Sequence, residues 1–169
     1  MHIVTNDRSR STDITAVVTS AFADSEGLEE GALIGKLAAE LLASDGAEDI
    51  FAFAALDANA VVGAIIFSQL RYPEDGRNVF VLAPAAVATP QQGKGYGQGL
   101  LNHGLDTLRK NGVEVALVYG NIKYYSKVGF ARIYQDFAAE TFPLAYQNGW
   151  SAQSLTDKPL EQLKGQAVC

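Results

Sequence analysis

Residues 2–5 alternate between outward polar and apolar positions, which predicts a short first strand. Ile14, Val17, Val18, Ala21 and Phe22 then recur at helical spacing, with Ser11 or Thr12 placed to cap the helix and Gly27 to break it. A second helix carries Leu33, Ile34, Leu37, Leu41 and Leu42 on one stripe and Glu30, Lys36 and Glu40 off it, ending at Ser44-Asp45-Gly46. Ile50–Leu56 and Val61–Phe67 are β-branched, aromatic and apolar, and the turn Asp57-Ala58-Asn59 makes them an antiparallel hairpin. A polar loop follows at Arg71–Arg77. Next comes a nearly unbroken apolar strand over Asn78–Ala88, read as central, in which Pro84 predicts a bulge or a break in the ladder. After a glycine-rich turn at 91–99, Leu100, Leu101, Leu105 and Leu108 mark a helix to about Lys110, closed by Asn111-Gly112. Val113–Tyr119 is a strand, Gly120-Asn121 opens a short helix ending at Gly129, and Phe130–Ile133 is a strand. Another strand is expected within Phe137–Tyr146, and the pattern weakens after Trp150. Hairpins together with a β-α-β crossover predict an α+β fold with a mixed sheet.

Composition narrows the functions open to such a fold. At 169 residues the chain is expected to form a single domain over 1–169. Lys plus Arg is 13 against 19 Asp plus Glu, a net charge of −6, so a nucleic-acid partner is not expected. Cys169 is the one cysteine and His2 and His103 are the two histidines, which leaves little for a disulfide framework or a metal site. The first residues lack the charged and apolar regions of a signal peptide. The most apolar stretch, Ile50 to Phe67, is interrupted by Asp57 and Asn59, so no membrane partner is expected and the protein is placed in the cytoplasm. The tail after Trp150 is expected either to form a homodimer interface or to complete the sheet.

The chemistry concentrates in the glycine-rich turn between the central strand and its helix. A P-loop is excluded, because Lys94 is followed by Gly95 and no glycine stands five residues before Gly93. A dinucleotide fingerprint is excluded, because the third glycine would fall on Gln98, Leu100 or Asn102. Gln92, Gly95 and Gly97 do satisfy [R/Q]-x-x-G-x-[G/A]. In this the segment resembles the acetyl-CoA-binding turn of the GNAT (Gcn5-related) N-acetyltransferase superfamily. Tyr124-Tyr125-Ser126-Lys127-Val128-Gly129-Phe130 is similar to that family's Y-x-K-x-G-F signature. Leu82-Ala83-Pro84, the Gln-Gly-Lys-Gly turn and the double tyrosine resemble its YhbS-like branch. Physical chemistry supports the cradle independently: a helix N-terminus offers unpaired N–H groups and partial positive charge, and glycines let the backbone approach a pyrophosphate. One departure is Thr89, which stands where the family often has proline, with Pro90 one residue later.

The resemblance implies the acyl-CoA N-acyltransferase fold, a three-layer α/β/α arrangement with a mixed, mostly antiparallel, twisted sheet. It implies direct transfer of the acetyl group of acetyl-CoA to a primary amine of a small molecule or protein, with no metal. Pantetheine is expected to pair with the backbone of Ala86, Val87 and Ala88, whose N–H groups would also serve the oxyanion. Gln92, Gly93, Lys94, Gly95, Tyr96, Gly97 and Gln98 are the expected pyrophosphate turn. Asn121 either contacts the cofactor or caps its helix. Tyr125 occupies the position of the family's general acid, with its neighbour Tyr124 the other candidate. No general base is evident, since the central strand carries no Glu or Asp. Asp75, Glu74 and Arg71 are read as loop charges, with the acceptor site as their other possible place. A binding module that holds an acyl-CoA without turnover is the alternative function.

Overall fold

A computed structural model describes residues 1–44, 48–133, 149–165 and 167. The strands are β1 (His2–Thr5), β2 (Ile50–Asp57), β3 (Ala60–Leu70), β4 (Val79–Val87), β5 (Val115–Tyr119), β6 (Ala131–Arg132) and β7 (Trp150–Ser154). The helices are α1 (Ser11–Glu26), α2 (Leu28–Ala43), α3 (Tyr96–Lys110) and the short α4 (Ile122–Tyr125). The strands form one sheet in the order β1-β2-β3-β4-β5-β7-β6. β4 and β5 run parallel, whereas β1–β2, β2–β3, β5–β7 and β6–β7 are antiparallel. The expected mixed, mostly antiparallel sheet is therefore present. By contacts the chain divides into two compact units, Met1–Ser68 with Ala83–Gly104, and Gln69–Leu82 with Leu105–Cys169.

The first unit is organised by the two faces of the β2–β3 hairpin. Ala52 pairs with Ile66 and Ala54 with Ala64, and these residues pack with Ile14, Val18 and Ala21 of α1 and Ala38 and Leu42 of α2. Phe53 pairs with Ile65 and Phe51 with Phe67 on the opposite face. There Gly104 of α3 lies so near Ile65, Phe67 and Phe53 that an added Cβ would be 3.0 to 3.3 Å from them. Burial on both faces explains why β2 and β3 read as apolar runs rather than as alternations. The hairpin turn is tighter than expected: only Ala58 and Asn59 link the strands, with φ of 48° and 68°. Positive φ at both central residues matches the twist of the flanking strands.

Several predicted boundaries move. Ser11 is the first residue of α1 rather than its cap, and its hydroxyl donates back to Arg8 O at 2.8 Å. The capping carboxylate is Asp7, which accepts from Ser9 N at the start of a 3-10 turn over Arg8–Arg10. α3 begins at Tyr96, so Gly97 and Gly99 are helical rather than part of the turn. β4 runs through Pro84, but its pairing with β5 covers Val79 to Leu82 and stops short of that proline, which has no N–H to offer. The weakly patterned tail after Trp150 does enter the sheet: β7 is paired with β5 along one edge and β6 along the other. The strand expected within Phe137–Tyr146 and the Asp45-Gly46 stop lie outside the described residues.

In the second unit Val79, Val115, Leu117, Ile133, Ala152 and Leu163 form the core with Tyr72. The loop before β4 is fastened to the tail by charge. The Arg77 guanidinium donates to both Asp75 carboxylate oxygens at 2.6 and 2.8 Å and to Glu161 O and Gln162 O at 3.0 and 2.7 Å. Lys164 N donates to Asp75 Oδ2 at 2.7 Å, and the Asp75 side chain is only 2% exposed. Asp75 is thus a buried clamp, neither a solvated loop charge nor an acceptor-site residue. Its hydrogen bonds from Arg77, opposed by burial, hold its pKa down at about 2 from 3.8. The clamp's contribution is complete above pH 3.8 and is lost as pH falls toward 2. It amounts to about 2 kcal/mol at neutral pH. Asp75→Asn is expected to lower unfolding stability by about that amount at pH 7, with the difference vanishing near pH 2; urea denaturation at both pH values checks it, and equal stabilities at pH 7 would reject the clamp.

Candidate functional site

The end of β4 sets up the turn in the first unit. Ala88 N donates to Val62 O at 2.8 Å. Successive strand residues present their backbone groups to opposite edges, so Val87 faces away from β3. Its carbonyl accepts the Gln92 side-chain amide at 3.0 Å. Of the expected pantetheine run, the Ala88 N–H is therefore committed to β3. Ala86 shares its orientation, and Val87 is the residue whose N–H points to the other edge.

Thr89–Gln91 make a single 3-10 turn with Pro90 inside it. Thr89 Oγ1 donates to Asp24 Oδ2 of α1 at 2.6 Å, a tie across 65 residues. The departure from proline at this position thus brings in a hydroxyl that anchors the loop. Gly93 and Gly95 follow, with φ of 78° and 90°, on either side of Lys94. Nothing lies within 4 Å of a Cβ built on either, so glycine is required by the backbone angle and not by space. Left-handed turns of this kind gather successive N–H groups into an anion-binding concavity.

The first intrahelical bond of α3 runs from Gly99 N to Gly95 O at 3.0 Å. The N–H groups of Tyr96, Gly97 and Gln98 come before it and have no intrahelical partner. Gln92, Gly93, Lys94 and Gly95 are exposed to water. Lys94 Nζ donates to Gln91 Oε1 at 3.1 Å, which holds its charge over the same turn. The structure therefore brings the predicted residues 92–98 together in one turn, water-exposed from Gln92 to Gly95, with a helix N-terminus and a cation beside it. Asp24 was not legible as a part of it. The motif marks the loop but not what the loop is tied to.

The second unit holds the predicted acid. Asn121 caps α4 by accepting from Lys123 N at 3.0 Å, so its side-chain oxygen serves the helix. The Tyr125 ring lies against Gly120, where an added Cβ would be 2.7 Å from its Cε2. It meets Phe130 edge-on at 5.9 Å and Tyr124 at 5.2 Å. Burial, with a smaller effect of Tyr124, raises the Tyr125 pKa from 10.0 to about 12. The phenol therefore keeps its proton throughout the neutral range, the form a proton donor needs. Tyr124 is 36% exposed, and burial raises its pKa as well. β4 carries no ionisable side chain, and no cluster of His, Cys, Asp and Glu suited to a metal ion occurs among the described residues. His103 is exposed on α3 with its ring edge-on to Phe53 at 5.6 Å. No helix among the described residues is long and apolar enough to cross a membrane.

Comparison with known proteins follows the same lines. The model of the family described as Acetyltransferase (GNAT) matches residues 18–130. The chain is 31% identical over 168 residues to an uncharacterized N-acetyltransferase, YjhQ, of Escherichia coli K12, covering 96% of this chain and 88% of that protein. Among solved structures it is similar to the Escherichia coli GNAT family N-acetyltransferase YhbS in complex with CoA. That match has a TM-score of 0.78 and 21% identity, and covers 98% of this chain and 87% of the other. A GNAT family acetyltransferase from Brucella melitensis in complex with acetyl-CoA matches with a TM-score of 0.72 and 22% identity, over 99% of this chain and 94% of that one.

Gly95→Glu places a carboxylate in the cradle and a side chain on a left-handed backbone, whereas Gly95→Ala adds the backbone strain alone. Calorimetric titration with CoA is expected to show at least a tenfold weaker affinity for the glutamate variant than for the alanine variant. Equal affinities would mean that the turn does not hold the ligand's phosphates.

Proposed function

The chain belongs to the GNAT acetyltransferase family, and on that premise we propose that it transfers the acetyl group of acetyl-CoA to a primary amine within a single catalytic domain spanning residues 1–169. The observation that supports this reading is the run of N–H groups from Tyr96 to Gln98, which have no partner within the helix, behind the left-handed Gly93 and Gly95. That cradle suits the pyrophosphate of CoA, with Gln92 shaping the loop and Lys94 adding charge. The family match from 18 to 130 runs through both compact units, which supports their working as one domain.

In this reading the strand end Ala86–Ala88 receives the pantetheine arm, and Val87 N–H is the donor it offers to the thioester oxygen. Asn121 fixes the turn that carries Tyr125. The neutral amine attacks the carbonyl carbon, the new C–N bond forms and the C–S bond breaks. Tyr125 gives its proton to the departing sulfur, the nitrogen loses a proton to water, and water returns one to Tyr125. With no carboxylate on β4, the amine must reach the site neutral or surrender its proton to solvent. Cytoplasmic residence belongs to the same reading, supported by a single cysteine in the whole sequence. So does a homodimer, which would cover Leu28, Leu33 and Leu37 of α2, exposed by 83%, 61% and 37%.

Tyr125→Phe is expected to lower kcat about 10²-fold or more while leaving CoA affinity unchanged. Because the phenol stays protonated until about pH 12, wild-type kcat should show no alkaline fall through pH 10. Full activity in the variant would remove Tyr125 as the acid, and CoA binding with no transfer to any amine would favour the binding module. Light scattering should read about twice 18.0 kDa for the homodimer, and 18.0 kDa at every concentration would remove it.

A further inference from the structure

Asp24 is badly placed for the helix that carries it. It stands with Glu26 in the last turn of α1, and that turn holds no basic side chain. A helix C-terminus carries partial negative charge, so a carboxylate there works against the helix. Asp24 and Thr89 are both exposed, and a hydrogen bond at the surface adds little to folding even at 2.6 Å. Stability alone therefore does not account for the pair. A residue that breaks a local rule in this way is expected where function needs it.

What the pair supplies is a fixed position. α1 is held from two sides. Ile14, Val18 and Ala21 pack with β2 and β3. Gly31 of α2 comes so near that an added Cβ would be 2.7 Å from Ala23 Cβ and 2.8 Å from Ala23 N. Asp24, the next residue, is thus carried on a helix that cannot shift without disturbing α2. At the other end of the bond, Thr89 starts the 3-10 turn in which Gln91 N donates to Ala88 O at 2.8 Å and Gln92 N to Thr89 O at 3.3 Å. Beyond it come Gly93, Lys94 and Gly95, and nothing lies within 4 Å of a Cβ built on either glycine. Glycine permits their left-handed backbone and many other conformations as well. With no packing around those glycines, the segment is placed by the anchors at its two ends. Gly99 N on Gly95 O serves the far end. Gln92 on Val87 O and Thr89 on Asp24 serve the near end.

We propose that Asp24 is a positioning residue for the CoA turn, acting through the Thr89 hydroxyl to fix the entrance of the turn before the diphosphate arrives. The benefit is affinity, because a turn ordered in advance loses less freedom on binding. The inference rests on the acetyl-CoA reading above for the identity of the ligand. Calorimetric titration with CoA would compare the wild type with Asp24→Ala, Thr89→Val, the double variant and Thr89→Ser. Each of the first two should raise Kd about fivefold, the double variant should do no worse than either, and Thr89→Ser should keep the wild-type Kd. The melting temperature of ligand-free Asp24→Ala should match or exceed that of the wild type, since a charge is removed from the wrong end of a helix. Additive losses in the double variant would overturn the coupling. A melting temperature that falls as Kd rises would make the bond a contact of the fold and overturn its role in binding. Wild-type binding that neither single variant weakens would overturn this inference alone, whereas a wild-type protein that binds no CoA would overturn the acetyl-CoA reading and this inference with it.

Discussion

A helix cannot supply carbonyl partners for its own first N–H groups, and in this chain that shortage is placed where β4 gives way to α3. Several contacts fix the turn that precedes those amides. Left-handed backbone at Gly93 and Gly95 turns the chain without side chains in the way. The Ala88–Val62 bond fixes where the strand ends, and the Gln92–Val87 bond folds the loop back onto it. The Thr89–Asp24 bond then ties the loop to α1. Each is a hydrogen bond of modest net strength, and together they fix the turn that is proposed to receive the ligand's phosphates.

Apolar burial makes that arrangement rigid enough to matter. β2 and β3 bury both faces, with α1 and α2 against one and the start of α3 against the other. The strand that delivers the turn is thus bonded to a hairpin whose register is fixed by Ala52–Ile66 and Phe53–Ile65, since a slip of one residue would exchange the two faces.

The second unit uses its polar groups differently. Asp75 and Arg77 are consumed in fastening the loop before β4 to residues 161–164. Burial raises the Tyr125 phenol and keeps it protonated. Neither β4 nor β5 carries an acidic side chain.

The sequence by itself determined what depends on local spacing and backbone preference. The β2–β3 hairpin, both early helices and the glycine turn that leads into α3 were all legible, because periodicity and glycine demands are written within a few residues. Tertiary structure alone decided what joins distant positions. Asp7 rather than Ser11 caps the first turn because the chain leaving β1 bends there, with Asn6 bonded to Ala52. β7 escaped notice because Ser151, Gln153 and Ser154 dilute its apolar pattern, and it is held by ladders on both edges rather than by a hydrophobic stripe. Asp24 reaches Thr89, Lys164 reaches Asp75 and Trp150 reaches Tyr119 only after the strands have set their neighbours. Hydrogen bonds and ring contacts act over a few ångströms, and no spacing along the chain records which remote residues the fold will bring within that range.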